Sequence, residues 1–131
     1  ERIRMDPGNS YWVNKLGLVF FSMGDYKNAA FYFSKYTALN SGDPLGYDNL
    51  GLAYQKLGET EKSEDNFKKA AKGYLRALKT DPENSVVLEN FRKSCSSISH
   101  EKTRKKLHKQ ALETEGIDKS ILLRQDYELN L

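Results

Sequence analysis

The chain has 131 residues, 38% of them hydrophobic and 30% charged, and carries a net charge of +3. That is one domain's worth of soluble, helix-friendly chain, able to bury roughly two thirds of its unfolded surface. No apolar run approaches the roughly 20 residues of a membrane-spanning helix, and the single cysteine, Cys95, excludes an internal disulfide framework and fits a reducing, cytoplasmic setting.

Taken in order, residues 1–9 read as the end of a preceding repeat, because Arg2-Ile3-Arg4-Met5-Asp6-Pro7 has the form of a helix terminus with a proline stop. Asn9 and Ser10 can cap a first helix, whose apolar residues Trp12, Val13, Leu16, Phe20 and Phe21 keep three-to-four spacing. Gly24-Asp25 breaks that helix and caps a second one, which carries Ala29, Ala30, Phe33 and Tyr36 and ends in Asn40-Ser41-Gly42. The third starts with Asp43 as N-cap and Pro44 at the first helical position, where a missing N–H costs nothing. It runs through Tyr47, Leu50, Gly51 and Tyr54 to Gly58.

A fourth helix is predicted from near Thr60 to just before Asp81-Pro82. A fifth begins around Asn84 with Val87, Leu88 and Phe91 inward. The sixth spans His100 to Glu115, with Leu107, Ala111 and Leu112 inward and Gly116 able to end it. Residues 119–131, with Ile121, Leu122 and Tyr127, suggest a short C-terminal capping helix.

The third helix repeats the first. Val13-x2-Leu16-Gly17-x2-Phe20 followed by Gly24 recurs 34 residues on as Tyr47-x2-Leu50-Gly51-x2-Tyr54 followed by Gly58. Glycine inside a helix costs about 1 kcal/mol relative to alanine, so the matched Gly17 and Gly51 imply the close approach of a partner helix. A period of this length means stacked helix pairs. With Ala29 and Phe33 in one second helix, and Ala70, Tyr74, Ala77 and Pro82 after the other, the sequence resembles the tetratricopeptide repeat family. That family's pattern is W-x2-L-G-x2-Y, then A-x3-F, then P.

The resemblance covers a first repeat over 10–43, a second over 44–84 and a degenerate third over 85–118, where Arg92 replaces the small residue and Cys95 the aromatic. The family's tryptophan position holds Val13 and Tyr47, with Trp12 one residue early. The resemblance implies an all-α fold, a right-handed superhelix of antiparallel helix pairs whose first helices line a concave groove.

The second repeat is seven residues too long for this period. Its second helix shows the small and aromatic pattern twice, as Ser63, Phe67 and Ala70 and again as Ala70, Tyr74 and Ala77. Only the later copy leads into Pro82. Seven residues turn a helix through nearly two revolutions with a drift of about 20°, so both copies face the same neighbours. The insertion is therefore predicted as two added helical turns rather than a loop, in a helix about 30 Å long. Glu64 with Lys68 and Asp65 with Lys69 would support it, and Gly73 is the place for a kink. Such an extension would displace the third repeat and reshape the groove between Asn49 and Asn90.

By the same resemblance the groove presents Asn14, Lys15, Leu18 and Phe21 from the first repeat. Asp48, Asn49, Leu52, Gln55 and Lys56 come from the second, and Glu89, Asn90 and Lys93 from the third. Asn49 and Asn90 precede Leu50 and Phe91 alike, and an asparagine there can grip a peptide backbone with both amide groups. It can also be a plain solvated residue. Family members that hold the C-terminal tail of heat-shock chaperones clamp it with Lys and Asn around the first Leu-Gly, Asn in the second repeat, and Lys with Arg in the third. This chain has Asn14 and Leu18 in the first pair and Val86 and Asn90 in the third, so only Asn49 matches and a chaperone-tail receptor is not expected.

The expected function is a non-catalytic scaffold that binds a protein or peptide partner in the groove. Two alternatives remain open. Residues 92–109 hold Arg92, Lys93, Lys102, Arg104, Lys105, Lys106 and Lys109 against only Glu101, a local charge of +6. That segment is either an outward helix face or an anion patch for nucleic acid or acidic membrane, with nucleic acid the less expected partner. Self-association through exposed repeat ends is the other. Cys95, His100 and His108 lack the tight pairing of a zinc site, no phosphate loop or activated nucleophile is present, and no cofactor, metal or catalysis is expected.

Overall fold

The computed structural model describes residues 9–123, and among these residues it is helical throughout, with no strand. The helices are α1 (Ser10–Ser22), α2 (Tyr26–Leu39), α3 (Pro44–Lys56), α4 (Thr60–Thr80), α5 (Ser85–Ser96) and α6 (Glu101–Leu112). Residues 119–123 are helical again. The expected preceding-repeat end over residues 1–8, and Tyr127, lie outside the described residues.

The helix starts are local chemistry. Asn9, Asp25, Asp43 and Asn84 each accept, through a side-chain oxygen, the backbone N–H of Tyr11, Asn28, Leu45 and Val87 at 3.0–3.2 Å. Each bond satisfies one of the N–H groups that a helix start leaves without a partner. His100 does the same for α6, its Nδ1 accepting from the Thr103 N–H at 3.3 Å. The ends of α1 and α3 are one turn built twice. Gly24 and Gly58 stand at φ +79° and +77°, and the next N–H, of Asp25 or Glu59, reaches back to the carbonyl of Phe20 or Tyr54 at 2.9 Å. A glycine in the left-handed region is what that reversal requires.

The chain divides into two compact units, one up to Asn66 and one from Phe67 onward. In the first, Ala29, Ala30, Phe33, Leu50 and Ala53 form the core, flanked by Phe20, Phe21, Tyr54 and Leu57. The expected close approach is visible at both Leu-Gly positions. A Cβ at Gly17 would lie 2.5 Å from the Phe33 ring of α2. At Gly51 the contact comes from α4, whose Ser63 hydroxyl donates to the Gly51 carbonyl at 2.9 Å in a buried position. A third contact of this kind escapes the repeat pattern: a Cβ at Gly46 would stand 2.7 Å from the Tyr36 ring, where α3 meets α2. The Tyr36 hydroxyl also donates to Asp43, the residue that caps α3.

In the second unit the buried side chains come from α4 (Phe67, Tyr74, Leu75, Leu78), α5 (Leu88, Phe91, Cys95) and α6 (Leu107, Ala111), with Ile98, Ile117 and Leu122 from the connections and the last helical residues. α4 is 21 residues long, about 30 Å, and helical throughout. The seven extra residues are helix, as the doubled pattern predicts, and helix continues through the buried Gly73. Two corrections concern α6. It ends at Leu112 rather than Glu115, and Leu112 itself is half-buried. The chain must leave the helix early for Ile117 to turn back into the core. Gly116, at φ +87°, lies inside that turn against Pro82 rather than at the helix end.

Two measurements follow from these contacts. Gly17→Ala should destabilise the protein by about 1–3 kcal/mol in urea denaturation, the usual cost of forcing an atom into a filled core. Gly42→Ala, where a Cβ meets nothing within 4 Å, should stay within about 0.5 kcal/mol. The bond to Asp43, followed by partial burial, pushes the Tyr36 hydroxyl up from 10.0 to about 12. Because the folded-state value is the higher one, the bond's contribution is complete below pH 10 and is lost as pH rises from 10 toward 12. A tyrosinate absorbance titration should find Tyr36 among the last tyrosines to ionise, and Asp43→Asn should bring it back toward 10.

Candidate functional site

α1 and α3 each carry a stripe away from the core of the first unit. Residues 11, 14, 15 and 18 share one face of α1 by helical spacing, and residues 45, 48, 49 and 52 repeat it on α3. The stripe is apolar where it is most open. Tyr11 is 57% exposed, Leu18 42%, Leu45 51% and Leu52 39%. Large apolar side chains thus stand in water at matched places in the two repeats. Lys15 lies along the stripe with its Nζ 5.7 Å from the centre of the Tyr11 ring.

Asn14, Lys15, Leu18, Asp48, Asn49 and Leu52 thus all sit on this face, and Gln55 and Lys56 are exposed a turn further along α3. Asn14, Asp48 and Asn49 are half-buried. The Asn14 Oδ1 is buried and accepts no hydrogen bond from a described residue. Phe21 is the exception: its ring meets Tyr26 edge-on at 5.1 Å and Phe33 at 6.4 Å, so it is partly drawn into the core, and only part of it is open. Tyr11 and Leu45 were missed, although the signal was available, since each stands seven residues before the exposed leucine of its own helix.

In the second unit α5 carries Glu89, Asn90 and Lys93, with Val86 exposed one turn earlier. Glu89 is not open for a partner, because its Oε1 accepts from Nε and Nη2 of Arg92, both at 2.9 Å. Arg92 occupies the small-residue position of the other repeats and folds along its own helix. Arg104 is likewise committed: Nη1 donates to the carbonyls of Ile98 at 2.7 Å and Ser99 at 3.4 Å, tying the α5–α6 connection to α6. Lys105 pairs with Glu101 at 2.8 Å and holds that carboxyl below its usual range. Lys102, Lys106 and Lys109 remain exposed. The two arginines of the anticipated anion patch therefore serve structure.

The residues weighed as metal ligands are also engaged elsewhere. Cys95 is buried, His100 caps α6, and His108, buried, donates from Nε2 to the Leu122 carbonyl at 2.9 Å. Among the described residues no three His, Cys, Asp or Glu side chains gather as a metal ion would need. No helix among them is long and apolar enough to cross a membrane.

A second apolar surface lies on α1. Gly46, Ala53 and Leu57 of α3 are covered or half-buried, Gly46 by Tyr36 of α2. Their counterparts 34 residues earlier are Trp12, Val19 and Met23, of which Val19 and Met23 are exposed.

Residues 13–43 and 46–72 match the family model of the tetratricopeptide repeat, the second match stopping inside α4. The TPR repeat-containing protein MJ1428 of Methanocaldococcus jannaschii is 33% identical over 79 residues, which are 60% of this chain and 14% of that protein. The photosystem I assembly protein Ycf3 of Rippkaea orientalis is 27% identical over 100 residues, 70% of this chain and 58% of that one. The chain thus spans less than two thirds of either relative. Among solved structures, the first TPR of Spaghetti (RPAP3) bound to the HSP90 peptide SRMEEVD superposes with a TM-score of 0.56 at 16% identity, covering 96% of this chain and 99% of that one. The Sgt2 TPR domain from Aspergillus fumigatus gives 0.55 at 18% identity, with coverages of 92% and 79%. At these identities the likeness is one of fold.

Proposed function

The chain belongs to the tetratricopeptide repeat family, its repeats matched over residues 13–43 and 46–72, and from that premise we propose that its first unit is a non-catalytic module binding an extended segment of a partner protein along the exposed stripe of α1 and α3. The observation that carries this reading is the recurrence of large apolar side chains in water at equivalent places, Tyr11 with Leu45 and Leu18 with Leu52. Covering a Leu side chain fully is worth about 1.5–3 kcal/mol, so a segment lying across these anchors gains affinity from them. Lys15 and Asn49, between the anchors, supply hydrogen bonds, and an asparagine amide can meet a backbone N–H and C=O together.

The kind of segment follows from what the stripe lacks. Leu18 and Val86 stand where chaperone-tail receptors of the family carry a polar or cationic clamp residue, so the partner is read by its apolar side chains and not by a terminal carboxylate. The peptide-bound module of Spaghetti and the naming of Ycf3 as an assembly protein support a binding role in general.

Selection on a peptide array followed by calorimetry with the selected peptide tests the proposal. Leu18→Asp with Leu52→Asp should weaken binding at least tenfold, about 1.4 kcal/mol, while the melting temperature stays within a few degrees. The probe SRMEEVD should give no saturable binding. Unchanged affinity in the well-folded double variant would remove the reading.

The apolar surface of Val19 and Met23 favours a second reading, self-association of this chain through α1. Sedimentation velocity over a dilution series should then show a concentration-dependent species that Val19→Glu with Met23→Glu abolishes. A monomer at every concentration rejects it.

A further inference from the structure

The second unit contains a cleft of about 290 Å³ between α4 and α6. Lys68 and Lys72 enter it from α4, one turn apart. Thr103, Lys106, Leu107 and Gln110 enter from α6. No carboxylate lines it, and none of the three lysines forms an ion pair with a described residue. Lys68, for which Glu64 four residues earlier is the natural partner in sequence, is half-buried at the cleft. The Thr103 hydroxyl is shared with His100 Nδ1 at 2.9 Å, which leaves the Gln110 amide as the neutral donor.

Three lysines line one small space with no carboxylate among them, and like charges gathered in this way repel one another. An anion in the cleft reverses that sign. The surroundings work in the same direction: residues 67–123 hold thirteen Lys and Arg against seven Asp and Glu, whereas residues 9–66 hold five against seven. The positive charge of the chain is thus concentrated in the unit that holds the cleft.

From this arrangement we propose that the cleft binds the phosphate monoester of a phosphorylated serine or threonine in a partner polypeptide. A phosphate monoester carries close to two negative charges and three strong acceptor oxygens, which match three ammonium donors, with Gln110 as a fourth. Lysines hold such a group as point charges, without the planar fork that arginine would present. The volume accommodates one phosphorylated side chain. No aromatic ring lines the cleft, so it has no platform on which a nucleobase would stack, and this disfavours a nucleic acid as the source of the phosphate. The cleft lies on the second helices of their pairs, so the proposal stands apart from the peptide stripe of α1 and α3.

Amide chemical-shift titration of the whole chain tests it, with O-phospho-L-serine, serine, inorganic phosphate and a single-stranded oligonucleotide as probes. Phosphoserine should shift amides over residues 68–72 and 103–110, while serine shifts none. Lys68→Gln with Lys106→Gln should weaken the phosphoserine response at least tenfold without changing the melting temperature, whereas Lys35→Gln, exposed on α2 in the first unit, leaves it unaltered. Two short peptides differing only in one phosphoserine should then differ at least tenfold in affinity, and raised salt should reduce that gap. The proposal is overturned if serine and phosphoserine act alike, if inorganic phosphate binds and phosphoserine does not, or if the oligonucleotide alone shifts the cleft amides. It also fails if the lysine pair can be replaced without effect.

Discussion

The ring of Phe33 occupies the space that a side chain at residue 17 would fill, and the first unit depends on that exchange. α1 and α2 approach closely only because α1 offers bare backbone at Gly17. The aromatic ring then fills the gap at core density, so neither partner can change size without a void or a clash. Ala29 and Ala30, on the same helix as Phe33, keep the rest of the contact shallow. Once this face of α1 is committed, Tyr11, Lys15 and Leu18 are left exposed among the described residues. Their outward position follows from the packing of the opposite side.

The equivalent positions of the other two repeats make different contacts. At Gly51 the intruder is the Ser63 hydroxyl, which pairs with the glycine carbonyl. At the third position of the series Arg92 stands in place of glycine and folds over Glu89. The three repeats thus differ at this position: an aromatic ring lies against Gly17, a hydroxyl pairs with the Gly51 carbonyl, and Arg92 pairs along its own helix. A substitution acts on a different physical term at each: overlap at Gly17, the Ser63 bond to the Gly51 carbonyl, or the Arg92–Glu89 ion pair.

Charge is distributed between structural and open roles along the second unit. Arg104 closes the α5–α6 connection through two carbonyls, His100 caps α6 and His108 holds the last helical residues through Leu122. By residue type and spacing Arg104 belongs to a possible anion patch, while the two histidines lack the pairing of a zinc site. All three are engaged by these internal hydrogen bonds. Lys102, Lys106, Lys109 and Arg76 are left facing solvent, and Lys68, Lys72 and Lys106 line the α4–α6 cleft.

Helix boundaries were legible in the chain because capping is local: Asn9, Asp25, Asp43 and Asn84 act within three residues of themselves, and Gly24 and Gly58 set their turns by backbone conformation alone. The 34-residue period disclosed the family, and a doubled pattern of small and aromatic residues disclosed the length of α4, since seven residues return a helix to nearly the same face. The repeated positions also marked most of the residues on the exposed stripe of α1 and α3. Tertiary structure decided the rest, where a residue's role depends on neighbours distant in sequence. It drew Phe21 toward Phe33, bound Arg104 to Ile98, ended α6 early so that Ile117 could enter the core, and left Lys68 and Lys72 beside Lys106. Spacing along a helix fixes which residues share a face, but only packing decides which faces are covered and which charges meet.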